Sequence, residues 1–454
     1  MKSKSFLQPS FRSFFIAIVF GFVLVLSGCD FSADARQWIN QIAQSEIFQK
    51  TETLSVDTQT PTVESTETLP PPTPTADIPA GPLELIVWVP PQFDPQADTP
   101  EAQLLRDRLN AFTTNERDVF INVRIKAASG PSSMLEALAI TNNAAQAAVP
   151  SLVLLPRSDV QSAVNRKLIF PMEPFTGAIE HPDWYNYARQ LTTWGGSSYG
   201  LPFAGDALML LYRPALIGKA PVNWDDILRR GEPLSIPAAD LQALITINMY
   251  ESAGGKLENA QRLPPLDLEL LTRIFQIYEN GSQLGAYPLW ITQLQNDADA
   301  WTTYNELRAN WVVTWSSRLL QNTQEDTIGV SFPAIGDNHV TLADGWVWCL
   351  TEPDPNAQSS SVQLAEFLTA PEFLTLWTPQ AGYLPVRPSS LQGWNDSSLT
   401  LLLGQVALSA QAKPSNEVIA TFGPVLQDLL LQVISGKTTA TIAAQAVLDK
   451  IGNQ

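Results

Sequence analysis

Leu83-Glu-Leu-Ile-Val-Trp-Val89 opens the part of the chain that reads as folded, and the seventy residues after it set the fold class. The heptapeptide is a short apolar strand. Glu101–Phe112 then carries Leu104, Leu105, Leu109 and Phe112 on one helical face. Val119–Ile125 alternates as a second strand, Met134–Ile140 has helical spacing, and Ser151-Leu-Val-Leu-Leu155 is a wholly apolar strand stopped by Pro156. Strands that alternate with helices and are apolar throughout predict an α/β fold around a parallel sheet covered on both faces.

Toward the N-terminus the composition changes sharply. Residues 51–79 are dominated by Thr and Pro, with five acids and no basic or aromatic side chain. Such a stretch has too little apolar surface to offset its ordering entropy, so it is expected to be an extended tether. Before it, Trp38, Ile39, Ile42, Ile47 and Phe48 recur at loosely helical spacing. The first 28 residues are expected to be a signal peptide. Lys2, Lys4 and Arg12 form its basic start, and the uncharged run Phe14–Leu26 has 13 residues, too few to span a bilayer as a helix. Leu26-Ser27-Gly28-Cys29 resembles the lipobox of bacterial lipoproteins, which implies lipidation of Cys29. No later stretch reads as a membrane span, so the lipid is expected to be the sole attachment.

Toward the C-terminus, Tyr199–Arg213 reads as two adjoining strands. Helical patterns occupy Asn223–Arg230, Ala239–Ala253 and Asp267–Asn280, and strands return at Trp311–Trp315, Thr327–Phe332 and Gly345–Leu350. The last part is helical at Val362–Leu368, Pro371–Trp377, Pro424–Ile434 and Thr439–Ile451. No internal repeat is present.

Charge and cysteine usage narrow the function. Removing residues 1–28 takes away three bases and no acid, which moves the net charge from -18 to -21. A surface this acidic repels phosphate backbones, so nucleic acid is excluded as a partner. Cys29 and Cys349 are the only cysteines, and lipid on the first leaves no internal disulfide.

Catalytic patterns fail. Gly196-Ser-Ser-Tyr-Gly200 matches G-x-S-x-G, but a nucleophile elbow needs a helix after it, and here Leu201-Pro202 and another apolar strand follow. Gly436-Lys-Thr438 lacks the upstream glycine of a phosphate-binding loop, because Leu431 stands there. Two histidines, His181 and His339, leave little for general base work or zinc. No cofactor and no metal are called for, and no enzymatic activity is expected. Acids distant in sequence that meet in space keep a glycosidase open as an alternative.

Several strings, in fixed order from about residue 83 to 451, resemble the family 1 extracellular solute-binding proteins, the carbohydrate receptors of ABC importers. They are Leu85-Ile-Val-Trp88, Ser151–Leu155 with Lys167-Leu-Ile-Phe-Pro-Met-Glu-Pro174, and Tyr199-Gly-Leu-Pro-Phe203 with Leu208–Pro214. Asn223-Trp-Asp-Asp-Ile227, Ala253-Gly-Gly255, Phe367–Glu372, Gly382-Tyr-Leu-Pro-Val-Arg387 and Ser435-Gly-Lys437 complete the set. The chain departs from the family at Arg213, where an Asn is usual, at Arg308–Val312, and at Pro90-Pro91.

The resemblance implies a two-lobed periplasmic-binding-protein fold of type II, with a ligand cleft between lobes joined by crossovers near Gly205, Gly329 and Leu384. It implies an N-lobe of about residues 83–205 and 334–384 and a C-lobe of about 206–333 and 385–454, with 29–82 as lipidated Cys and tether. It further implies ligand contacts at Asp206, Trp315, Arg318, Trp346 and Tyr383, with Arg157 presented by the end of the Ser151 strand. Aromatic faces stack on sugar rings while charged groups take the hydroxyls. Several positions also have a plain structural reading: Trp346, Trp348 or both as core, Asp206 as a turn acid or cap, Arg318 paired with a surface acid, Trp88 as core.

The expected function is therefore capture of a saccharide, neutral by family analogy, outside the cell and its delivery to ABC permease subunits. The partners are the small-molecule solute, the permease and the membrane through the lipid. A ligand-sensing receptor or a binder of polyamines or peptides is the alternative on the same fold.

Overall fold

A computed structural model describes residues 82–257, 266–322, 326–336 and 339–451 of the chain. The expected signal peptide, Cys29 and all but the last residue of the tether lie outside the described residues.

The first three strands stand where the sequence put them. β1 (Leu83–Val89) pairs in parallel with β2 (Val119–Ile125) and with β3 (Leu152–Pro156). The helix Pro100–Asn115 joins the first two. Thr99 caps it by accepting from Ala102 N, a proline lies in its first turn, and Leu105, Leu109 and Phe112 are buried.

Beyond β3 the sheet is mixed, which corrects the expectation of a parallel one. After the hairpin β4 (Thr193–Trp194) and β5 (Ser197–Ser198) come β6 (Leu201–Tyr212), β7 (Leu234–Ser235), β8 (Trp311–Trp315) and β9 (Ile328–Ser331). The last strands are β10 (Thr341–Leu350) and β11 (Ala410–Ala412). The order across the sheet is β2-β1-β3-β10-β6-β8-β7, with β11 on β10 and β9 on β6. β10 runs antiparallel between β3 and β6, and β6 antiparallel to β8 and β9, while β1–β2, β1–β3, β7–β8 and β10–β11 are parallel.

Tyr199–Arg213 forms one strand of 12 residues rather than two. Leu201–Ala207 pairs with β10, and Leu208–Tyr212 pairs with β8 and β9. The change of partner, centred on Gly205 and Asp206, mimics a break in the sequence. Gly205 N donates to Leu384 O (2.9 Å) and Leu384 N to Gly205 O (2.8 Å), while Gly345 sits opposite Gly205 on β10. A Cβ on Gly205 would lie 2.2 Å from Tyr187 Oη, and one on Gly345 2.6 Å from Ala204 O, so only glycine fits at this junction. Gly329 lies apart from it, inside β9 opposite Leu211.

Several helices run differently from expectation. Asn416–Ile434 starts well before Pro424, which lies inside it, and Pro355–Leu368 starts before Val362. Ala239–Ala253 shortens to Leu244–Ser252 because Ala243 holds a left-handed φ of 46°. The helix Asn416–Ile434 is long and apolar enough to cross a bilayer, contrary to the sequence reading. Its apolar side is spent on the core, though: Phe422, Leu426, Leu429, Leu430 and Val433 are buried, and it packs on the helices Leu268–Leu284 and Ala440–Ile451. At Gly423 it meets the loop before Leu244 so closely that a Cβ would lie 2.4 Å from Leu241 O.

The hairpin β4–β5 resolves the G-x-S-x-G string. Gly195 and Gly196 take φ of 60° and 89° at its turn, Ser198 is buried and donates to Gly200 O, and β6 follows directly. This serine has neither the exposure nor the following helix of a nucleophile elbow.

Candidate functional site

A cavity of about 370 Å³ opens where β6 and β10 pass from one half of the sheet to the other. Its size is that of a small-ligand site. Four predicted positions share its wall: Asp206, Trp315, Trp346 and Tyr383. Arg157 and Arg318 do not line it.

The aromatic side rests on a buried stack of rings. Phe93 meets Trp346 edge-on at 5.2 Å and Tyr383 at 5.5 Å, and Trp377 lies parallel to Tyr383 at 6.2 Å. Phe203 closes the stack from below, 4.3 Å from Trp377. Phe93 reaches this place through the short turn Pro91–Phe93, so the Pro90-Pro91 departure supplies a support for the aromatic wall rather than a polar contact. Trp346 is half-buried and lines the cavity, while Trp348 two residues on is core. Two residues apart on a regular strand share a face. Both indoles do meet the same stack of rings, Trp346 on Phe93 and Trp348 on Phe203 at 5.4 Å, and they differ in depth rather than in face. Trp88 is core, as its plain reading had it, with Lys126 over its ring.

The polar side is acidic. Asp206, Asp240, Asp297 and Asp344 line the cavity with, among the described residues, a single cation, Lys413. Asp206 and Asp344 face each other across the β6–β10 ladder. Asp206 also serves as a cap: Oδ1 accepts from Ser316 Oγ (2.7 Å) and Ser317 N (2.9 Å), and Oδ2 from Ser317 Oγ (2.5 Å), at the start of the helix Ser316–Gln321. Its plain reading as a cap is realised, and it lines the cavity as well, with room left for a further donor on Oδ2. Burial pushes its carboxyl up to about 6, against the pull of those hydroxyl and amide donors.

Arg318 turns to Asp297, donating from Nε at 2.8 Å, with its side chain a third exposed. Its plain reading as an ion-pair partner is the one realised, except that the acid belongs to the cavity wall. Arg157 follows the cavity residue Pro156 and donates from Nε to Lys413 O at 3.4 Å. Lys413 Nζ donates to Asp344, and Lys413 N to Ala343 O at 2.8 Å. Arg213, the family departure, is an anchor away from the cavity: it donates to Asp326 and Tyr304 O (2.9 Å each) and stacks on the Tyr304 ring.

Sequence reasoning missed Asp240, Asp297, Asp344 and Lys413. Asp344 adjoins the quoted Gly345-Trp346 and was within reach. The other three stand in loops or at a helix start, with no periodic signal to mark them.

Residues 108–399 match the bacterial extracellular solute-binding proteins as a family. The chain belongs to that family, which places the folded part outside the cytoplasm. Three solved structures share the fold over 82% of this chain. The maltose-binding periplasmic protein of Listeria monocytogenes, in complex with maltose, is 14% identical with a TM-score of 0.67 and 97% of its own length covered. The cyclic alpha-maltosyl-1,6-maltose binding protein of Arthrobacter globiformis is 16% identical, with a TM-score of 0.66 and 99% covered. The sugar-binding protein of Xanthomonas citri is 15% identical, with a TM-score of 0.66 and 96% covered. Each of the three is named as a sugar-binding protein, and the two-lobed α/β architecture is common to them. No curated protein matches the chain by sequence.

Proposed function

We propose that this protein captures a saccharide in the cavity between its lobes and delivers it to the permease of an ABC importer, held at the membrane by lipid on Cys29. One observation carries the reading: Trp315, Trp346 and Tyr383 share a small-ligand cavity with carboxylates able to accept hydroxyl donors. Aromatic faces for the apolar side of a ring, with charged acceptors beside them, are what a sugar requires. The sugars named for the similar structures fit that chemistry. With lobes of 83–205 plus 334–384 and 206–333 plus 385–454, two of the crossovers leave side by side from the Gly205–Leu384 bridge, next to the cavity residues Asp206 and Tyr383.

A ligand-library thermal-shift screen on the purified full chain tests the reading. At a hundredfold excess over Kd, a bound sugar stabilises the native state by about 2.7 kcal/mol and raises the melting temperature by about 2–4 °C. Shifts by amino acids or peptides and none by a broad sugar panel would refute it. The anchor is tested separately, because Cys29→Ala should abolish incorporation of labelled lipid.

A further inference from the structure

The charge of the cavity wall narrows the solute further. Asp297 has Arg318 and Asp344 has Lys413. Asp206 and Asp240 have no lysine or arginine within ion-pair reach among the described residues. Asp206 is held by neutral donors, and Asp240 accepts from Gln242 N at 3.0 Å. Lys413 is the nearest counter-charge to Asp240 and is already donated to Asp344. Asp206 also stands directly opposite Asp344 on the next strand, a pairing of like charges that destabilises a ladder.

Building two unneutralised carboxylates into a half-buried wall is costly unless something arrives to compensate them. Burial raises both carboxyls above the ordinary range, Asp206 to about 6. A neutral sugar offers hydroxyl donors and leaves the two charges in place. A protonated amine on the ring removes the cost and gains a charge-assisted hydrogen bond. Trp315, Trp346 and Tyr383 add cation–π attraction for the same group.

We propose that the solute is an amine-bearing saccharide, an amino sugar with a free ammonium, positioned between the Asp206 and Asp240 carboxylates against the aromatic wall. This rests on the saccharide reading above and sharpens it, moving the preferred ligand from the neutral sugars expected by family analogy to cationic ones. The cavity and its rings make the site; the excess of acid chooses among rings.

Calorimetric titration of the full chain at pH 7 tests it, with matched triplets of hexoses and disaccharides carrying a hydroxyl, a free amine or an N-acetylated amine at the same carbon. The free amine should bind about tenfold tighter than its acetylated twin, since the pair differ by one charge-assisted contact. Asp240 has one backbone partner, so Asp240→Asn should fold normally and reduce that ratio several-fold, as should raising the salt. Equal or tighter binding of the neutral or acetylated form overturns this inference and leaves the saccharide reading standing. Binding of spermidine with no sugar of any kind overturns both. A tenfold preference that Asp240→Asn leaves untouched overturns the placement of the ammonium between Asp240 and Asp206.

Discussion

Trp346 and Tyr383 lean on a buried stack of Phe93, Phe203 and Trp377, all within reach of the sheet's core, whereas Asp240, Asp297 and Lys413 line the same cavity from loops and a helix start. The aromatic side is made of the atoms that hold the fold together. On the acidic side Asp206 is fixed by three donors at the start of the helix Ser316–Gln321, whereas Asp240 has one backbone amide and Asp297 and Asp344 have ion pairs. Rigidity and recognition are therefore joined on one side and separable on the other. A solute-binding protein of this build can retune its charge selectivity without touching its core.

Phe93→Ala should show the joined side most strongly. Phe93 is buried beneath the wall without lining the cavity, so its loss should lower the unfolding free energy by about 3–5 kcal/mol. Sugar affinity should fall with it, as Trp346 and Tyr383 lose their support. Urea unfolding with unchanged stability would erase the contrast between the two sides. Lys413→Met comes next. It leaves Asp344 without its ammonium and Asp159 and Asp240 without their nearest positive charge. Because the pair is only partly buried, the loss should be about 2–3 kcal/mol, below that of a fully buried pair; chemical denaturation reads it directly.

Trp315→Ala and Trp346→Ala sharpen the comparison from the ligand's side. Each should weaken sugar binding by about 1–3 kcal/mol in calorimetry while far-ultraviolet dichroism stays unchanged. A variant that binds at full strength has been misplaced in the site. The smallest effect is on pH. The folded-state carboxyl of Asp206 titrates near 6, above the unfolded value of about 3.9. The native state thus holds the proton more tightly, and this group's contribution is full below about pH 4 and lost as pH rises to about 6. The unfolding free energy of wild type minus that of Asp206→Asn should fall over that window. A difference that grows with pH would reverse the sign of the argument.

Where residues were apolar and contiguous, the sequence disclosed its structure well. Leu83–Val89 and Trp311–Trp315 form strands with the expected ends because burial on a sheet demands a mostly apolar string, and Val119–Ile125, at the sheet's edge with no buried residue, is marked by its alternation instead. Tyr199–Arg213 misled because a strand that changes partners keeps its backbone form while its side-chain pattern changes. Pro424 misled by resembling a helix start. Of the cavity wall, Asp206, Trp315, Trp346 and Tyr383 adjoin strands or a return loop with a quotable motif. Lys413 and Asp240 do not, and they meet only through tertiary packing that no local spacing encodes.

Gly423 extends the cavity's reach in a direction its lining does not reveal. The helix carrying it presses on Leu241 O, and Leu241 sits between Asp240 and Gln242, which both face the solute's space. A methyl group added there would have to displace backbone, and the backbone it displaces carries one of the two unneutralised carboxylates. Mutational scans confined to first contacts would overlook it. A screen for altered solute preference should instead recover substitutions in the middle of a C-terminal helix that touches no ligand.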